Sequence, residues 1–276
     1  MKKIPVSIYV QLTTFDGGSW RQQLTQYHQL GYSLIELDVE IFQQIAPEDL
    51  AQELRKNQLR ISAIQVADVF TTEKNMIDTL AQLYRVLPRF SPELVQDLVI
   101  IIKETGRVEE LSIDLQAGYW HNLLKNLQFF THFMADVFSI ETLIQPGRAG
   151  LMAEEQFVSQ LLQSTKYLGL WLDTGFSAFC QRDPLQVLQS WPQQIRYLHL
   201  TDVNEAVFSK QSVDLSQCTS FAGEGVIDFG ILYDQLQEVP GVVTQVCVQP
   251  LLPTDVQDYW AECASTLRFL EKIGFN

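Results

Sequence analysis

The feature that most constrains the fold is a regular alternation of short apolar runs with longer amphipathic runs. The alternation repeats eight times along the 276 residues. Its interval of about 25–35 residues suits parallel strands, which need long crossover connections. A closed sheet of eight such strands leaves no open edge. The pattern therefore predicts one α/β domain over residues 1–276, a single (β/α)8 TIM barrel.

The alternative is an open, doubly wound sheet of the kind that binds dinucleotides. Such sheets carry a Gly-x-Gly-x-x-Gly turn after the first strand. Here Asp16-Gly17-Gly18-Ser19 occupies that place. Ser19 is instead expected to begin the first helix as its N-cap, and Gly31 is expected to end that helix.

The predicted strands are short apolar runs bounded by turn residues. They are residues 5–11, 33–38, 60–66, 110–116, 139–145, 169–173, 195–200 and 242–249. Residues 71–90 are interpreted as an inserted helical segment. The next helix is expected to start at Ser91-Pro92-Glu93 and to include the apolar run at 98–102.

Composition excludes several classes of function. The formal net charge is −14, whereas nucleic acids and anionic membranes require a basic surface. No run of 18 apolar residues is present that would span a membrane. The four cysteines form no Cys-x-x-Cys pair, so they are expected to be reduced thiols in a cytoplasmic protein. The composition is also compatible with a homo-oligomer.

Polar residues cluster at the ends of the predicted strands, where such barrels build their active sites. Strand alternation places His199 on the same face as Tyr197, and Gln249 on the same face as Cys247 and Gln245. The strand-end residues are Gln11, Glu36, Asp38, Gln65, Asp68, Gln116, Gln145, Asp173, His199, Asp202 and Gln249.

Four segments resemble the xylose-isomerase-like superfamily of sugar isomerases and epimerases, which also includes endonuclease IV. They are Gly31-Tyr32-Ser33-Leu34-Ile35-Glu36-Leu37, Leu172-Asp173-Thr174-Gly175-Phe176, Tyr197-Leu198-His199-Leu200-Thr201-Asp202 and Gly223-Glu224-Gly225-Val226-Ile227-Asp228-Phe229. They follow the family order over nearly the whole chain. The His-x-x-Asp segment followed by Gly-Glu-Gly-x-x-Asp-Phe is the most specific part.

The resemblance implies a divalent metal held by four side chains at the ends of strands 5 to 8. The family has Glu, Asp, His and Glu there, and this chain has Gln145, Asp173, His199 and Gln249. The histidine that usually follows the aspartate is Phe176. Since hard cations prefer charged oxygen ligands, the chain is expected to hold no cofactor, or to bind Mn²⁺, Mg²⁺ or Zn²⁺ weakly through Asp173 and His199.

The two substitutions also remove proton carriers, because an amide has no pKa suited to general acid or base catalysis. Glu36 and His199 remain as candidate catalytic residues. The amides at strand ends have donors and acceptors that suit a sugar or polyol. These candidate substrate-binding residues are Gln11, Gln65, Gln116, Gln145 and Gln249.

Three functions follow from these residues. The favoured one is a sugar isomerase- or epimerase-like barrel that binds a small sugar or polyol with weakened or lost catalysis. The second is an active metal-dependent isomerase or epimerase of a sugar or sugar-derived keto acid, with Glu36 or Glu224 moving the proton. The third is a non-enzymatic regulatory or interaction protein on the same scaffold, since a fold does not fix a function.

Overall fold

The structure, a computed structural model, describes residues 3–12, 19–67, 72–103, 113–145, 155–205, 218–220, 222–239, 243–249 and 256–275. Its eight parallel strands form a closed barrel in the order β1-β8-β7-β6-β5-β4-β3-β2. The predicted (β/α)8 class is therefore confirmed. The strands are Val6–Tyr9 (β1), Leu34–Asp38 (β2), Arg60–Ala67 (β3), Val99–Lys103 (β4), Glu141–Ile144 (β5), Leu168–Asp173 (β6), Ile195–His199 (β7) and Gln245–Val248 (β8).

Helices alternate with the strands along the chain. They are Trp20–Leu30 (α1), Pro47–Lys56 (α2), Glu73–Val86 (α3), Ile113–Phe138 (α4), Glu155–Ser164 (α5), Thr174–Phe179 (α6), Pro184–Ser190 (α7), Phe229–Glu238 (α8) and Val256–Ile273 (α9). None of the described helices is both long enough and apolar enough to cross a membrane.

The ends of α1 follow from its sequence as predicted. Ser19 forms a capping box with Gln22, in which each side chain pairs with the backbone of the other residue. At the other end, Gly31 has a φ of 105° and adopts the left-handed conformation that ends the helix. Local capping therefore fixes where β2 can begin.

The chain forms two compact units. The first comprises Met1–Glu36, Glu53–Arg60 and Leu172–Asn276, and the second comprises Leu37–Gln52 and Ile61–Trp171. In the first unit, Ser7 of β1 lies beside Cys247 of β8, which in turn lies beside His199 of β7. In the second unit, β3 pairs with β4, and β4 pairs with β5. That residues 1–276 behave as one domain stays a prediction.

The predicted position of strand 4 is wrong. The strand is Val99–Lys103, which overlaps the run assigned to a helix, whereas residues 113–116 lie in α4 and residues 110–112 lie outside the described part of the chain. The run Val99–Ile102 is completely apolar and β-branched, a composition that favours a strand buried on both faces. The residues assigned to an inserted segment form α3, which is the helix that connects β3 to β4.

This correction removes Gln116 from the set of strand-end residues. Gln116 falls within α4, and its side chain lies outside the described part of the structure. The polar residue that ends β4 is Lys103, whose ammonium group lies 3.5 Å from the Asp38 carboxylate.

Candidate functional site

A buried histidine is the centre of the candidate site. His199 is the last residue of β7 and is 1% exposed. Its Nε2 lies 2.9 Å from Oε2 of Glu36, the third residue of β2, which is 0% exposed. A charge-assisted hydrogen bond of this length fixes both the position and the rotation of the imidazole ring.

The other ring nitrogen of His199 faces Asp173, the last residue of β6. Nδ1 lies 3.9 Å from the Asp173 carboxylate, whose side chain is 15% exposed. The other carboxylate oxygen of Asp173 accepts a hydrogen bond from the backbone N–H of Phe176 and so caps α6. Thr201 donates to the oxygen that faces the histidine. The histidine is therefore held between two carboxylates.

The surroundings of Asp173 favour its protonated form more than water does. Burial raises the pKa of this carboxyl group above its usual range. The charge of His199 and the hydrogen bonds from Phe176 and Thr201 act in the opposite direction. The carboxylate therefore depends on these partners to remain ionised.

A second layer of polar groups supports Glu36. The hydroxyl of Tyr197 donates to Glu36 Oε2 at 2.8 Å and also lies 2.9 Å from the hydroxyl of Ser7. Ser7 in turn donates to the backbone carbonyl of Val246. These groups satisfy a carboxylate that would otherwise be costly to bury.

Cys247 completes this buried cluster. Its thiol contacts Ser7, Glu36 and Tyr197, and burial raises its pKa well above the usual range. The negative charge of Glu36 raises the pKa of the thiol further. Glu36, His199 and Cys247 each present one possible metal-ligating atom, and these atoms lie within 4.8 Å of one another.

The sequence pattern did not identify Ser7, Tyr197 or Cys247 as site residues. The available signal was strand alternation, which places Tyr197 on the face of His199 and Cys247 on the face of Gln249. The pairing of Ser7 with Cys247 and of Cys247 with His199 also depends on strand register. Register between distant strands is not readable from alternation within each strand.

Asp202, a strand-end candidate, has a structural role. Its carboxylate is buried and accepts four backbone hydrogen bonds, from Val203, Gly223, Gly225 and Ile227. A Cβ atom on Gly225 would collide with this carboxylate, which explains the glycine there. The Gly223-Glu224-Gly225 segment therefore closes against Asp202 and leads into α8, whose N-cap is Asp228.

The predicted amide residues lie in different environments. Gln11 is half-buried just after β1, and Gln249 is exposed just after β8. In the second unit, Gln65 is fully buried within β3, and Gln145 is half-buried just after β5. Asp68 lies outside the described residues. The structure thus brings together Glu36, Asp173 and His199, while the ring of amides stays a prediction.

The four positions that the sequence resemblance assigns to metal binding carry one carboxylate, one imidazole and two amides. Asp173 and His199 supply one carboxylate and one imidazole on facing positions. The other two family positions are glutamines, which are neutral and weaker ligands for Mg²⁺ or Mn²⁺. That this set binds a divalent metal only weakly stays a prediction.

Solved structures with this fold are numerous, whereas no protein-family model and no curated protein matches the sequence. A D-psicose 3-epimerase from Clostridium cellulolyticum H10, solved with D-tagatose, is 10% identical over 99% of this chain and 100% of that chain, with a TM-score of 0.75. A xylose isomerase domain protein from Alicyclobacillus acidocaldarius is 13% identical over 99% and 98%, with a TM-score of 0.72.

A sugar phosphate isomerase/epimerase from Parabacteroides distasonis ATCC 8503 is similar to the same extent. It is 13% identical over 98% of this chain and 94% of that chain, with a TM-score of 0.70. The resemblance to xylose-isomerase-like TIM barrels that the four sequence segments suggest is therefore confirmed at the level of the fold. Sequence identities this low do not establish an activity or a substrate for this chain.

Proposed function

We propose that this chain is a sugar isomerase- or epimerase-like barrel that binds a small sugar or polyol near Asp173 and His199, with a weakened metal site. The observation that carries the proposal is the pair of carboxylates around His199. One carboxylate, Glu36, is buried and orients the ring, while the other, Asp173, is the partly exposed group at the strand end. A site with one accessible carboxylate and one fixed imidazole suits hydrogen bonding to hydroxyl groups better than tight binding of a hard cation.

Two of the proteins with similar structures support a sugar as the class of ligand. One is an epimerase solved with D-tagatose, and a second D-psicose 3-epimerase was solved in the presence of D-fructose. Sugars of this kind present several hydroxyl groups and no charge. Gln11 and Gln249, which follow β1 and β8, are the proposed additional hydrogen-bonding residues.

Glu36 is proposed to act through His199 as a positioning residue. The sequence made it a candidate base, but its side chain is fully buried and bonded to both Tyr197 and His199. A base must come within hydrogen-bond reach of the proton that it removes. Asp173, whose side chain is 15% exposed, therefore carries the contact to a ligand in this proposal, and His199 lies behind it at 3.9 Å.

Ligand binding tests the proposal directly. Saturation-transfer NMR with D-fructose, D-tagatose and sorbitol is expected to show binding of at least one of them to the wild type. The Asp173→Asn variant should weaken that binding about tenfold, since one charged hydrogen bond contributes about 1.5–3 kcal/mol at most. Asp183→Asn is a matched control, because Asp183 also caps a helix but lies outside the site.

The outcomes separate the three candidate functions. Binding that Asp173→Asn and Asp183→Asn weaken equally would argue against this site. No binding of any sugar would favour a non-enzymatic scaffold. Turnover of a ketose that requires added metal would favour the active isomerase.

The metal content of the purified protein is a separate prediction. The expected result is well under one equivalent of Mn²⁺ and Mg²⁺ combined after extensive dialysis, because two of the three family carboxylates are replaced by glutamine. Elemental analysis by mass spectrometry measures this. A stoichiometric Mn²⁺ or Mg²⁺ ion that chelators remove slowly would contradict the weakened site.

A further inference from the structure

The buried side of His199 has a second set of possible ligands, separate from Asp173. Glu36, His199 and Cys247 come from β2, β7 and β8, and all three side chains are buried. Strand register places Cys247 directly beside His199, so both side chains leave neighbouring strands on the same face. Their ligating atoms, with that of Glu36, lie within 4.8 Å of one another.

We propose that Glu36, His199 and Cys247 form a buried binding position for a divalent cation that prefers a thiolate, with Zn²⁺ as the natural occupant. His199 would contribute Nε2 to this ion, whereas Nδ1 is the nitrogen that faces Asp173. Bonds from zinc to nitrogen, oxygen and sulfur are about 2.0–2.3 Å, so side-chain shifts of about 1 Å would bring the three atoms onto one ion.

Charge balance supports this assignment. Zn²⁺ with the Glu36 carboxylate, the Cys247 thiolate and a neutral His199 has no net charge, which a buried position requires. Binding converts the thiol to a thiolate, and the proton passes to solvent. A Glu36 carboxylate paired with a His199 imidazolium would also balance charge without an ion.

The surrounding groups resemble the support that metal ligands normally have. Tyr197 donates to Glu36 Oε2, and Ser7 contacts the hydroxyl of Tyr197. Such outer hydrogen bonds orient a ligand and increase its basicity. Three protein ligands also match the donor count of many zinc sites.

The choice of cation follows from the donor set. A thiolate selects borderline and soft ions, whereas Mg²⁺ and Mn²⁺ favour oxygen ligands. This position shares His199 with the weak Asp173–His199 pair under the proposed function, but its other two ligands are different residues. A substitution at Cys247 and one at Asp173 should have different consequences.

Cobalt is the probe for the first experiment, because Co²⁺ replaces Zn²⁺ and absorbs in the near ultraviolet when a thiolate binds it. The chelator-treated full-length protein is titrated with Co²⁺ in the presence of a phosphine reductant. The thiolate-to-cobalt band is expected in the wild type, in Asp173→Asn and in Cys263→Ser. It should be absent in Cys247→Ser.

The control residue, Cys263, is also a buried thiol, so its substitution tests the loss of a cysteine elsewhere. Added Zn²⁺ should displace Co²⁺ from the wild type. The Cys247→Ser variant should bind Zn²⁺ at least about 100-fold more weakly than the wild type. Loss of a residue that only hydrogen-bonds to a metal ligand costs at most about that much. A band that persists in Cys247→Ser, or that never forms in the wild type, would overturn the proposal.

X-ray absorption on the zinc-loaded wild type needs no variant and guards against a Cys247→Ser protein that does not fold. One sulfur and at least two lighter atoms are expected around the zinc. Zinc coordination by nitrogen and oxygen atoms alone would show that Cys247 does not bind the ion. If Asp173→Asn alone abolished zinc binding, the ion would belong to the strand-end pair instead.

Discussion

Replacing Asp202 with alanine should lower the free energy of unfolding by about 3–5 kcal/mol, the range seen when one partner of a buried charged group is removed. The carboxylate is 0% exposed and accepts hydrogen bonds from the N–H groups of Val203, Gly223, Gly225 and Ile227 at 2.9–3.1 Å. Alanine leaves these donors without an acceptor in a space that a methyl group does not fill. Chemical denaturation followed by circular dichroism measures the change.

Asp228→Ala is the matched control for this experiment. Asp228 also accepts a backbone hydrogen bond, from Ile231, but it does so as an exposed helix N-cap. Loss of such a cap costs about 1 kcal/mol. If Asp202→Ala were no more destabilising than Asp228→Ala, the closure of the Gly223–Ile227 segment would not depend on the Asp202 carboxylate.

The sequence predicted the strands that carry the site better than the rest of the barrel. Leu34–Asp38, Leu168–Asp173 and Ile195–His199 match the predicted runs closely. Each is a short, mainly apolar run that ends on a charged or polar residue. The ends of such strands are fixed by local chemistry, which a single sequence reports directly.

Strand β4 shows where this reasoning fails. A strand buried on both faces loses the alternation that identifies a half-exposed strand, and Val99–Ile102 is apolar at every position. The preceding Ser91-Pro92-Glu93 has the composition of a helix start, and it forms only a single 3₁₀ turn. Periodicity alone cannot separate a short buried strand from a buried helical segment.

The sequence predicted some residues of the candidate site but not their arrangement. Asp173 and His199 were assigned from the ends of their strands, and the structure places them 3.9 Å apart. The bond between Glu36 and His199 joins residues that are 163 positions apart in sequence. No local pattern encodes a contact at that separation, because it depends on how every intervening strand is ordered.

The double change Gln145→Glu and Gln249→Glu should increase the affinity for Mn²⁺ by at least tenfold. Each restored carboxylate adds a full negative charge, and a gain of only about 1.4 kcal/mol for the pair corresponds to tenfold. The prediction rests on the resemblance, which places these two glutamines with Asp173 and His199 as the four metal-ligating positions. Titration calorimetry with Mn²⁺ measures the change.

The same double change in a His199→Ala background is the critical control. The gain should largely disappear there, because His199 is expected to supply one of the four ligands. A gain of equal size in both backgrounds would mean that the new glutamates bind Mn²⁺ by themselves at the surface, as two added charges can. Unchanged affinity in the His199 protein would show that the four positions do not share a site. Increased affinity without turnover of D-fructose or D-tagatose would indicate that proton carriers were lost with the ligands, as Phe176 in place of the usual histidine suggests.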